Sequence, residues 1–274
     1  MIKKNLGVFK LIINLCIFWF INYILNNDKK KGRLICKEKF QVIVDEVLRK
    51  YFFNNFQING TIKKTPNKID LIMTNHISTI DFLIIITILY KFNIPNYYFV
   101  FKESIVKIPV LGPLMSDDIR LTRSWDKDQE LILNQLKNID YGTLVIYPEG
   151  TRYDNRKHKD ALKFCYENKL PLYNYTLAPK AKGTHSIFEI LSKNNKLGKI
   201  YDMTLIIPKY INKNMYLSSI FGFKELGDIQ VFVKEVKFTN DELNYEKFKK
   251  KLFNIWLSKN ILFDLYLKKN KYLL

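Results

Sequence analysis

The stretch that decides the fold is IDLIMTNHISTIDFLIIITILY, residues 69–90. It begins with a short apolar run at 69–73 that predicts a buried strand, and it continues through a polar turn into an apolar segment, from about Ser78 to Tyr90, that predicts a helix. In α/β sheets, reacting and ligand-binding groups gather beyond the carboxyl ends of the strands. Because the turn carries His76 and Asp81, this stretch predicts both a layered fold and the place of its functional site.

Short apolar runs alternate with helical patterns along most of the remaining chain. Predicted strands lie at residues 97–101, 143–147, 175–178, 200–207 and 229–238, and predicted helices lie near 127–139, 159–168, 185–193 and from about Asp241 onward. This alternation is typical of an α/β fold, here with a mixed, largely parallel sheet flanked by helices. No repeat and no linker rich in proline, glycine or serine divides the chain, so we expect one domain over residues 31–274.

Two amphipathic helices are expected near the ends of this domain. Apolar residues recur at three- and four-residue steps from Phe40 to Phe52, and again from Phe248 to Leu257 among many lysines. Either helix suits the surface of the domain or the surface of an anionic membrane. The sequence leaves both placements open.

The first segment predicts attachment to a membrane. An uncharged, mostly apolar stretch from Leu11 to Leu25 follows a basic start and precedes lysines at positions 29, 30 and 31. It is short for a perpendicular span, which takes ~20 apolar residues, and no small-residue cleavage site follows it. We therefore expect residues 1–30 to form an uncleaved membrane-anchoring helix, spanning or lying in one leaflet, rather than a buried core helix. If the helix spans, the lysines place the domain on the cytosolic side of the endoplasmic reticulum or another intracellular membrane.

The composition favours a folded domain with an anionic partner. Of the 274 residues, 47% are hydrophobic, which supplies a substantial core, and 45 lysines and arginines against 26 acidic residues give a net charge of +19. An AT-rich coding bias explains the abundant lysine, asparagine and isoleucine equally well. The three cysteines, Cys16, Cys36 and Cys165, have no metal-ligand spacing and predict no disulfide framework, so no metal is expected.

His76 and Asp81 have two interpretations. Asp81 falls in the first turn of the predicted helix, near enough to accept a hydrogen bond from one imidazole nitrogen and to stabilise the imidazolium formed when the other nitrogen takes a proton. Ser78 and Asp81 also match a capping box, in which the aspartate only supports the start of the helix. A lone histidine before a helix is more often a polar turn residue, so the pair by itself does not establish catalysis.

A second stretch, TLVIYPEGTRYDNRK at residues 143–157, changes the balance between these interpretations. A predicted strand ends at the proline, after which Glu149 and Arg152 bracket Gly150 and Thr151. Glycine permits a close approach of the main chain to a ligand, and a planar guanidinium suits a phosphate group. A turn with a local ion pair explains the same residues.

In this order and at this separation, the two stretches resemble signature blocks of the glycerolipid acyltransferase family. NHISTID (75–81) resembles the block in which four residues separate a histidine from an aspartate, and PEGTR (148–152) resembles the later block. The resemblance covers roughly residues 40–265, and several ordered blocks make a chance match unlikely.

Four further blocks extend the resemblance. FKESIVKIPVLGPLM (101–115) and LAPKAKG (177–183) resemble the second and fourth blocks of the family. RSWDKD (123–128) and IYDMTL (200–205) are similar to the eukaryotic-type 1-acylglycerol-3-phosphate O-acyltransferases, including the lysocardiolipin-type branch.

The resemblance implies an acyltransferase domain that moves a fatty acyl group from acyl-CoA, a co-substrate, to the free hydroxyl of a lysophospholipid, with no cofactor. The first choice of acceptor is 1-acyl-sn-glycerol-3-phosphate, which would give phosphatidic acid, and the alternatives are lysocardiolipin and lysophosphatidylinositol. His76 would act as the general base and Asp81 would orient its ring. The implied substrate-binding residues are Glu149, Gly150, Thr151, Arg152, Lys102, Arg123 and Lys180.

Other functional classes fit the sequence less well. It contains no G-x-S-x-G elbow, no phosphate-binding G-x-x-x-x-G-K-[ST] loop and no cysteine or histidine cluster for zinc. Basic charge and aromatic content suit nucleic acid, but no recognition motif supports such a partner and the expected anchor opposes it. The remaining rival is a catalytically silent lipid-binding protein with the same fold and anchor.

Overall fold

The computed structural model describes residues 29–104, 115, 117–122, 124–213 and 226–270. The predicted anchor falls almost entirely outside these residues and stays a prediction. In the parts of the chain that the structure describes, no helix is both long and apolar enough to cross a membrane. The elements in chain order are α1 (Lys29–Tyr51), β1 (Phe53–Asn59), β2 (Ile69–Thr74), α2 (Asp81–Lys91), β3 (Tyr97–Lys102), β4 (Ile119–Leu121), α3 (Trp125–Lys137), β5 (Gly142–Ile146), α4 (Asn155–Glu167), α5 (Ala181–Lys193), β6 (Leu197–Ile206), β7 (Gly227–Val236) and α6 (Tyr245–Lys269).

The described strands form one sheet in the order β1-β7-β6-β2-β5-β3-β4. Neighbouring strands run parallel except β6 and β7, which pair antiparallel. The expectation of an α/β fold with a mixed, largely parallel sheet is confirmed. Since β2 lies between β5 and β6 and parallel to both, the loops that follow these three strands leave the same edge of the sheet.

Helices cover both faces of the sheet, which explains why its central strands are continuous apolar runs rather than alternating ones. All six residues of β2 are buried. One face packs against α1 and α2 in a core that includes Phe40 and Ile84. The other face packs against α3, α5 and α6 in a core that includes Phe188 and Trp256.

Both amphipathic helices pack against the domain. In α1 the apolar stripe of Cys36, Phe40, Val44 and Leu48 is buried. The same helix supplies a buried lysine, Lys37, whose Nζ donates to Tyr97 O at 2.7 Å and to Asp118 Oδ1 at 3.1 Å. In α6 the buried set includes Phe248, Leu252, Trp256 and Phe263. Of the two placements that the sequence left open, the structure therefore places the apolar stripes of both helices on the domain.

One predicted strand is wrong and two strands were not predicted. Residues 175–178 form no strand because side chains of α6 take up their polar groups: Tyr175 N donates to Asn260 Oδ1 at 2.8 Å, and Asn260 Nδ2 donates to Thr176 Oγ1 at 2.9 Å. The unpredicted strands are β1, a half-exposed edge strand rich in asparagine, and β4, which is only three residues long. Neither has an apolar run strong enough to mark it in the sequence.

Candidate active site

His76 and Asp81 meet directly after β2. His76 Nδ1 lies 2.9 Å from Asp81 Oδ2, and the exposed fractions of the two side chains are 22% and 0%. A carboxylate only accepts hydrogen bonds, so Nδ1 is the donor in this arrangement, and in the neutral form of the ring Nε2 keeps its lone pair. The pair therefore has the geometry of a histidine base oriented by a buried carboxylate.

Ser78 completes the partners of the Asp81 carboxylate. Its main-chain N–H donates to Asp81 Oδ2 and its hydroxyl donates to Asp81 Oδ1, both at 2.9 Å. The helix α2 has Ile80 at its N-cap and no side-chain capping bond there. The carboxylate thus combines one contact typical of a capping box with the bond to His76, and helix capping alone does not account for it.

The imidazole of His76 stacks on Tyr147, the first residue after β5. The ring centroids are 4.2 Å apart and the planes differ by 29°. His76 also borders a recess, whose other lining residues are Asn75, Ile77, Glu149, Tyr153, Tyr175, Thr176, Ile207, Tyr210, Ile211, Asn212 and Phe263. The histidine therefore lies between a supporting aromatic ring and a cavity with largely apolar and aromatic walls.

Glu149 lies in the interior behind the histidine. It is only 1% exposed, and burial raises its pKa to about 8. N–H donors from Trp256 and from the main chain of His76 and Leu177, together with the Lys259 ammonium, act in the opposite direction. The Trp256 Nε1 to Glu149 Oε1 distance is 3.3 Å. The predicted acceptor-binding carboxylate thus contacts the protein's own main chain.

The rest of the PEGTR block forms a tight turn beside Lys180. Gly150 has a φ of +68°, a left-handed conformation that glycine adopts without strain, and a Cβ there would lie 3.2 Å from the Lys180 side chain. Its N–H donates to Tyr147 O at 2.8 Å, and Lys180 N donates to Pro148 O at 2.7 Å. Thr151 accepts from Lys157 Nζ at 2.8 Å.

The structure links this loop to the histidine through Tyr153, whose N–H donates to His76 O at 2.6 Å. Arg152, the preceding residue, is half-buried. Lys102 is exposed at the carboxyl end of β3, on the same edge of the sheet. Arg123 lies outside the described residues. The roles assigned to the substrate-binding residues stay predictions.

Several residues that shape the site were not singled out from the sequence. Asn75 joins the ends of β2 and β6, since its Nδ2 donates to Leu205 O at 2.9 Å and its Oδ1 accepts from Leu205 N at 2.8 Å. Its position beside His76 was a usable signal. Trp256 and Lys259 approach from α6, and no local pattern marks them as part of the site.

No metal centre is formed by the residues described here: no three histidine, cysteine, aspartate or glutamate side chains among them are grouped to hold an ion. The other two histidines have structural contacts. His158 Nε2 lies 2.7 Å from Tyr173 O, and His185 Nε2 lies 3.0 Å from Leu243 O. His76 alone of the three is paired with a carboxylate in the described contacts.

Comparison with known proteins identifies the family to which the chain is similar. Residues 56–191 match the model of the acyltransferase family. The chain is 29% identical over 176 residues to the probable 1-acyl-sn-glycerol-3-phosphate acyltransferase 5 of Arabidopsis thaliana, a match covering 62% of this chain and 46% of that protein. It is 25% identical over 183 residues to the human 1-acyl-sn-glycerol-3-phosphate acyltransferase gamma, covering 64% of this chain and 48% of that protein. The matches thus span less than half the length of these relatives.

The fold itself is similar to a solved one. The crystal structure of the 1-acyl-sn-glycerophosphate (LPA) acyltransferase PlsC from Thermotoga maritima superposes with a TM-score of 0.56 at 16% identity, covering 94% of this chain and 95% of that chain. At that identity the likeness concerns the fold alone. The family match over both signature loops, with the similarity to the named acyltransferases, confirms the resemblance noted in the sequence: the chain belongs to the acyltransferase family.

Proposed function

We propose that this protein transfers a fatty acyl group from acyl-CoA to the free hydroxyl of a lysophospholipid, with 1-acyl-sn-glycerol-3-phosphate as the acceptor and phosphatidic acid as the product. The observation that carries the proposal is the bond between His76 Nδ1 and the buried Asp81 carboxylate, at the mouth of a recess and beside the loop that bears Arg152. The names of the relatives point to the same acceptor.

An alcohol is a weak nucleophile at neutral pH, so the reaction needs a base at the attacking hydroxyl. His76 Nε2 removes the hydroxyl proton while the oxygen attacks the thioester carbonyl, and Asp81 stabilises the imidazolium that forms. The tetrahedral intermediate collapses with loss of the coenzyme A thiolate, a good leaving group that takes up the proton from the His76 imidazolium and so restores the base. No covalent acyl-enzyme is required, because the acceptor attacks the donor directly.

Arg152 binds the phosphate of the acceptor in this proposal, with Lys180, Lys102 and Arg123 adding positive charge. Lys180 is exposed and lies against Gly150, so a cation is placed beside the turn. A guanidinium offers two parallel N–H donors that match two phosphate oxygens. The residues that line the recess are largely apolar and aromatic, which is the usual lining of a small-molecule site.

The test is release of coenzyme A thiol by the purified protein with lysophosphatidate, lysocardiolipin and lysophosphatidylinositol, each with acyl-CoAs of several lengths. We expect turnover with lysophosphatidate to exceed the other two. Higher turnover with lysocardiolipin or lysophosphatidylinositol would show that this lipid, rather than lysophosphatidate, is the preferred acceptor. If the protein binds lipid but releases no thiol from acyl-CoA with any of the three acceptors, the result would favour a catalytically silent lipid-binding protein.

The proposal places the protein on an intracellular membrane with the domain on the cytosolic side. The support is the apolar stretch from Leu11 to Leu25, the flanking lysines and a lipid substrate. Sedimentation with anionic liposomes, in low and high salt, compares the full chain with a chain that lacks residues 1–27. Weaker binding of the truncated chain is expected, and equal binding would contradict an anchoring role for the first segment.

A further inference from the structure

Helix α6 places two fully buried polar groups behind the catalytic histidine, Trp256 Nε1 and the Lys259 ammonium. The two residues are 0% and 1% exposed. Lys259 Nζ binds the Asp202 carboxylate, donates to Met203 O at 2.6 Å and lies 3.5 Å from Met73 O. It also lies 4.8 Å from the centroid of the Trp256 ring, a cation–π contact.

These groups reach the segment that carries His76 at both of its ends. At residue 73, the ammonium faces the carbonyl oxygen of Met73. At residue 76, the main-chain N–H of His76 is close enough to the Glu149 carboxyl to lower its pKa, and Glu149 Oε1 accepts from Trp256 Nε1. Between them, Asn75 is bonded to Leu205 on β6. Residues 74–76 are therefore in contact, on the interior side, with groups on α6, on β6 and in the loop after β5.

Stability alone gives a weak reason for this arrangement. A buried ion pair costs about as much in lost hydration as it returns, and apolar residues of similar size often serve the fold equally well. Trp256 belongs to the apolar core formed by α6 and the sheet, and the buried Lys259 ammonium lies beside its ring. The polar groups at these two positions need another explanation: Trp256 Nε1 donates to Glu149, and Lys259 Nζ lies 3.5 Å from Met73 O in addition to its bonds with Asp202 and Met203 O.

We infer that Lys259 and Trp256 are positioning residues for the proposed acyl transfer: through Met73 O and Glu149 they hold the main chain of His76 so that its Nε2 stays aligned with the acceptor hydroxyl. This inference rests on the proposed function. It also assigns Glu149 to holding the histidine rather than to contacting the acceptor. A displacement of about 1 Å in a catalytic group costs on the order of 10²-fold in rate, so small main-chain shifts suffice for a measurable effect.

The experiment uses two variants of the full chain. Lys259→Met combined with Asp202→Asn removes both charges together, so neither is left buried without a partner. Trp256→Phe keeps an aromatic ring but removes the N–H donor to Glu149 together with part of the buried ring volume. For each folded variant we expect kcat to fall by about tenfold or more, within the range for a misplaced catalytic group, while KM values for acyl-CoA and lysophosphatidate stay within about twofold.

The matched control is Lys196→Met. Lys196 also binds main-chain carbonyl groups, with Nζ at 2.8 Å from Ile139 O and 3.1 Å from Lys137 O, but it precedes β6 at the opposite edge of the sheet. Its loss should lower the thermal midpoint without changing kcat. A merely structural role for Lys259 would give the same pattern as this control.

A second readout, the ring ¹⁵N NMR signals of His76, does not depend on turnover. Because the protein has only three histidines, these signals can be assigned. Both test variants should shift the His76 signals and leave those of His185 in place, whereas Lys196→Met should shift neither. If the parent protein shows no turnover but the variants still shift the His76 signals, the proposed function is wrong. The positioning role of Lys259 and Trp256 toward His76 would still hold. Parent-like kcat and parent-like His76 signals in folded Trp256→Phe would overturn the positioning role.

Discussion

The loops after β2 and β5 each bury a carboxylate at the same edge of the sheet, yet the two acids have different partners. Asp81 is 0% exposed and bonds within its own loop, to His76 and Ser78. Glu149 is 1% exposed and bonds to Trp256, which is 107 residues away, and to the main chain of His76. Equal burial therefore does not mean an equal role.

The difference lies in what each carboxylate orients. Asp81 binds the imidazole itself, so in the proposed mechanism its charge acts on the proton that His76 takes up. Glu149 binds an amide that does not react, so its effect passes through the position of the main chain. We expect changes at Asp81 to alter turnover strongly at nearly constant stability. In the second loop, we expect changes at Arg152 to alter substrate affinity, and changes at Glu149 to alter the pH dependence of stability and to affect turnover only through the position of the His76 main chain.

The largest expected effect is that of His76→Ala. The alcohol loses its base, and base catalysis is worth ~10²–10⁴-fold in rate. Thiol release from acyl-CoA measures the loss, and His185→Ala is the control because His185 bonds to Leu243 O away from the site. Turnover near that of the parent in His76→Ala would remove the basis of the proposed mechanism.

Asp81→Asn comes next. Asparagine still accepts from Ser78 but loses the charge that stabilises the imidazolium, so turnover should fall by at least about 10²-fold with a thermal midpoint close to the parent's. The control is Asp70→Asn at the other end of β2, where Asp70 accepts from Thr65 N at 2.9 Å and Lys199 N at 2.7 Å. That variant should lose stability and keep its turnover. If Asp81→Asn behaves in the same way, Asp81 only supports the helix start.

Arg152→Lys should act on substrate affinity. Lysine keeps the charge but loses the two-pronged geometry, so the apparent affinity for lysophosphatidate should fall by about tenfold, with little change for acyl-CoA. Arg49→Lys on α1 is the control, since Arg49 pairs with Asp45 on its own helix. An equal loss of affinity for both substrates would indicate that Arg152 supports the turn rather than the phosphate.

The smallest effect is expected for Glu149→Gln, in the pH dependence of stability. Burial raises the pKa of Glu149 from 4.5 to about 8. Between these two pH values the folded state holds a proton that the unfolded state has released. The contribution of Glu149 to the free energy of unfolding is therefore fully present below about pH 4.5 and is lost as the pH rises through about 8. One proton gives a slope of at most about 1.4 kcal/mol per pH unit. Glutamine cannot ionise, so the loss of stability from pH 6 to pH 8 should be smaller in the variant.

Chemical unfolding at pH 6 and pH 8 measures this difference. The control is Glu242→Gln: despite partial burial, bonds from Lys251 and Thr239 lower the pKa of Glu242 to about 2, so its ionisation does not change between these two pH values. The control should keep the parent's slope. The same slope in Glu149→Gln as in the parent would mean that Glu149 is already ionised at pH 6.

Much of the sheet and the central pair could be predicted because their signals are local. The runs at β2, β3, β5, β6 and β7 are apolar over lengths typical of buried strands, and the observed strands begin and end within a few residues of the predicted ones. His76 and Asp81 lie close in sequence, so a strand followed by a turn and a helix is enough to bring them together. The strand expected at 175–178 failed for a non-local reason, since α6 supplies the partners of those residues.

The sequence by itself determined the α/β class, the order of the signature blocks and the identity of the His76–Asp81 pair, because periodicity and motif spacing act over a few residues. Only the tertiary structure decided that α1 and α6 pack on the domain, that Lys37 meets Asp118 across 81 residues, and that Glu149 turns toward Trp256 rather than outward. Such contacts depend on which side of a helix faces the sheet after packing, and burial of apolar surface settles that choice over the whole molecule.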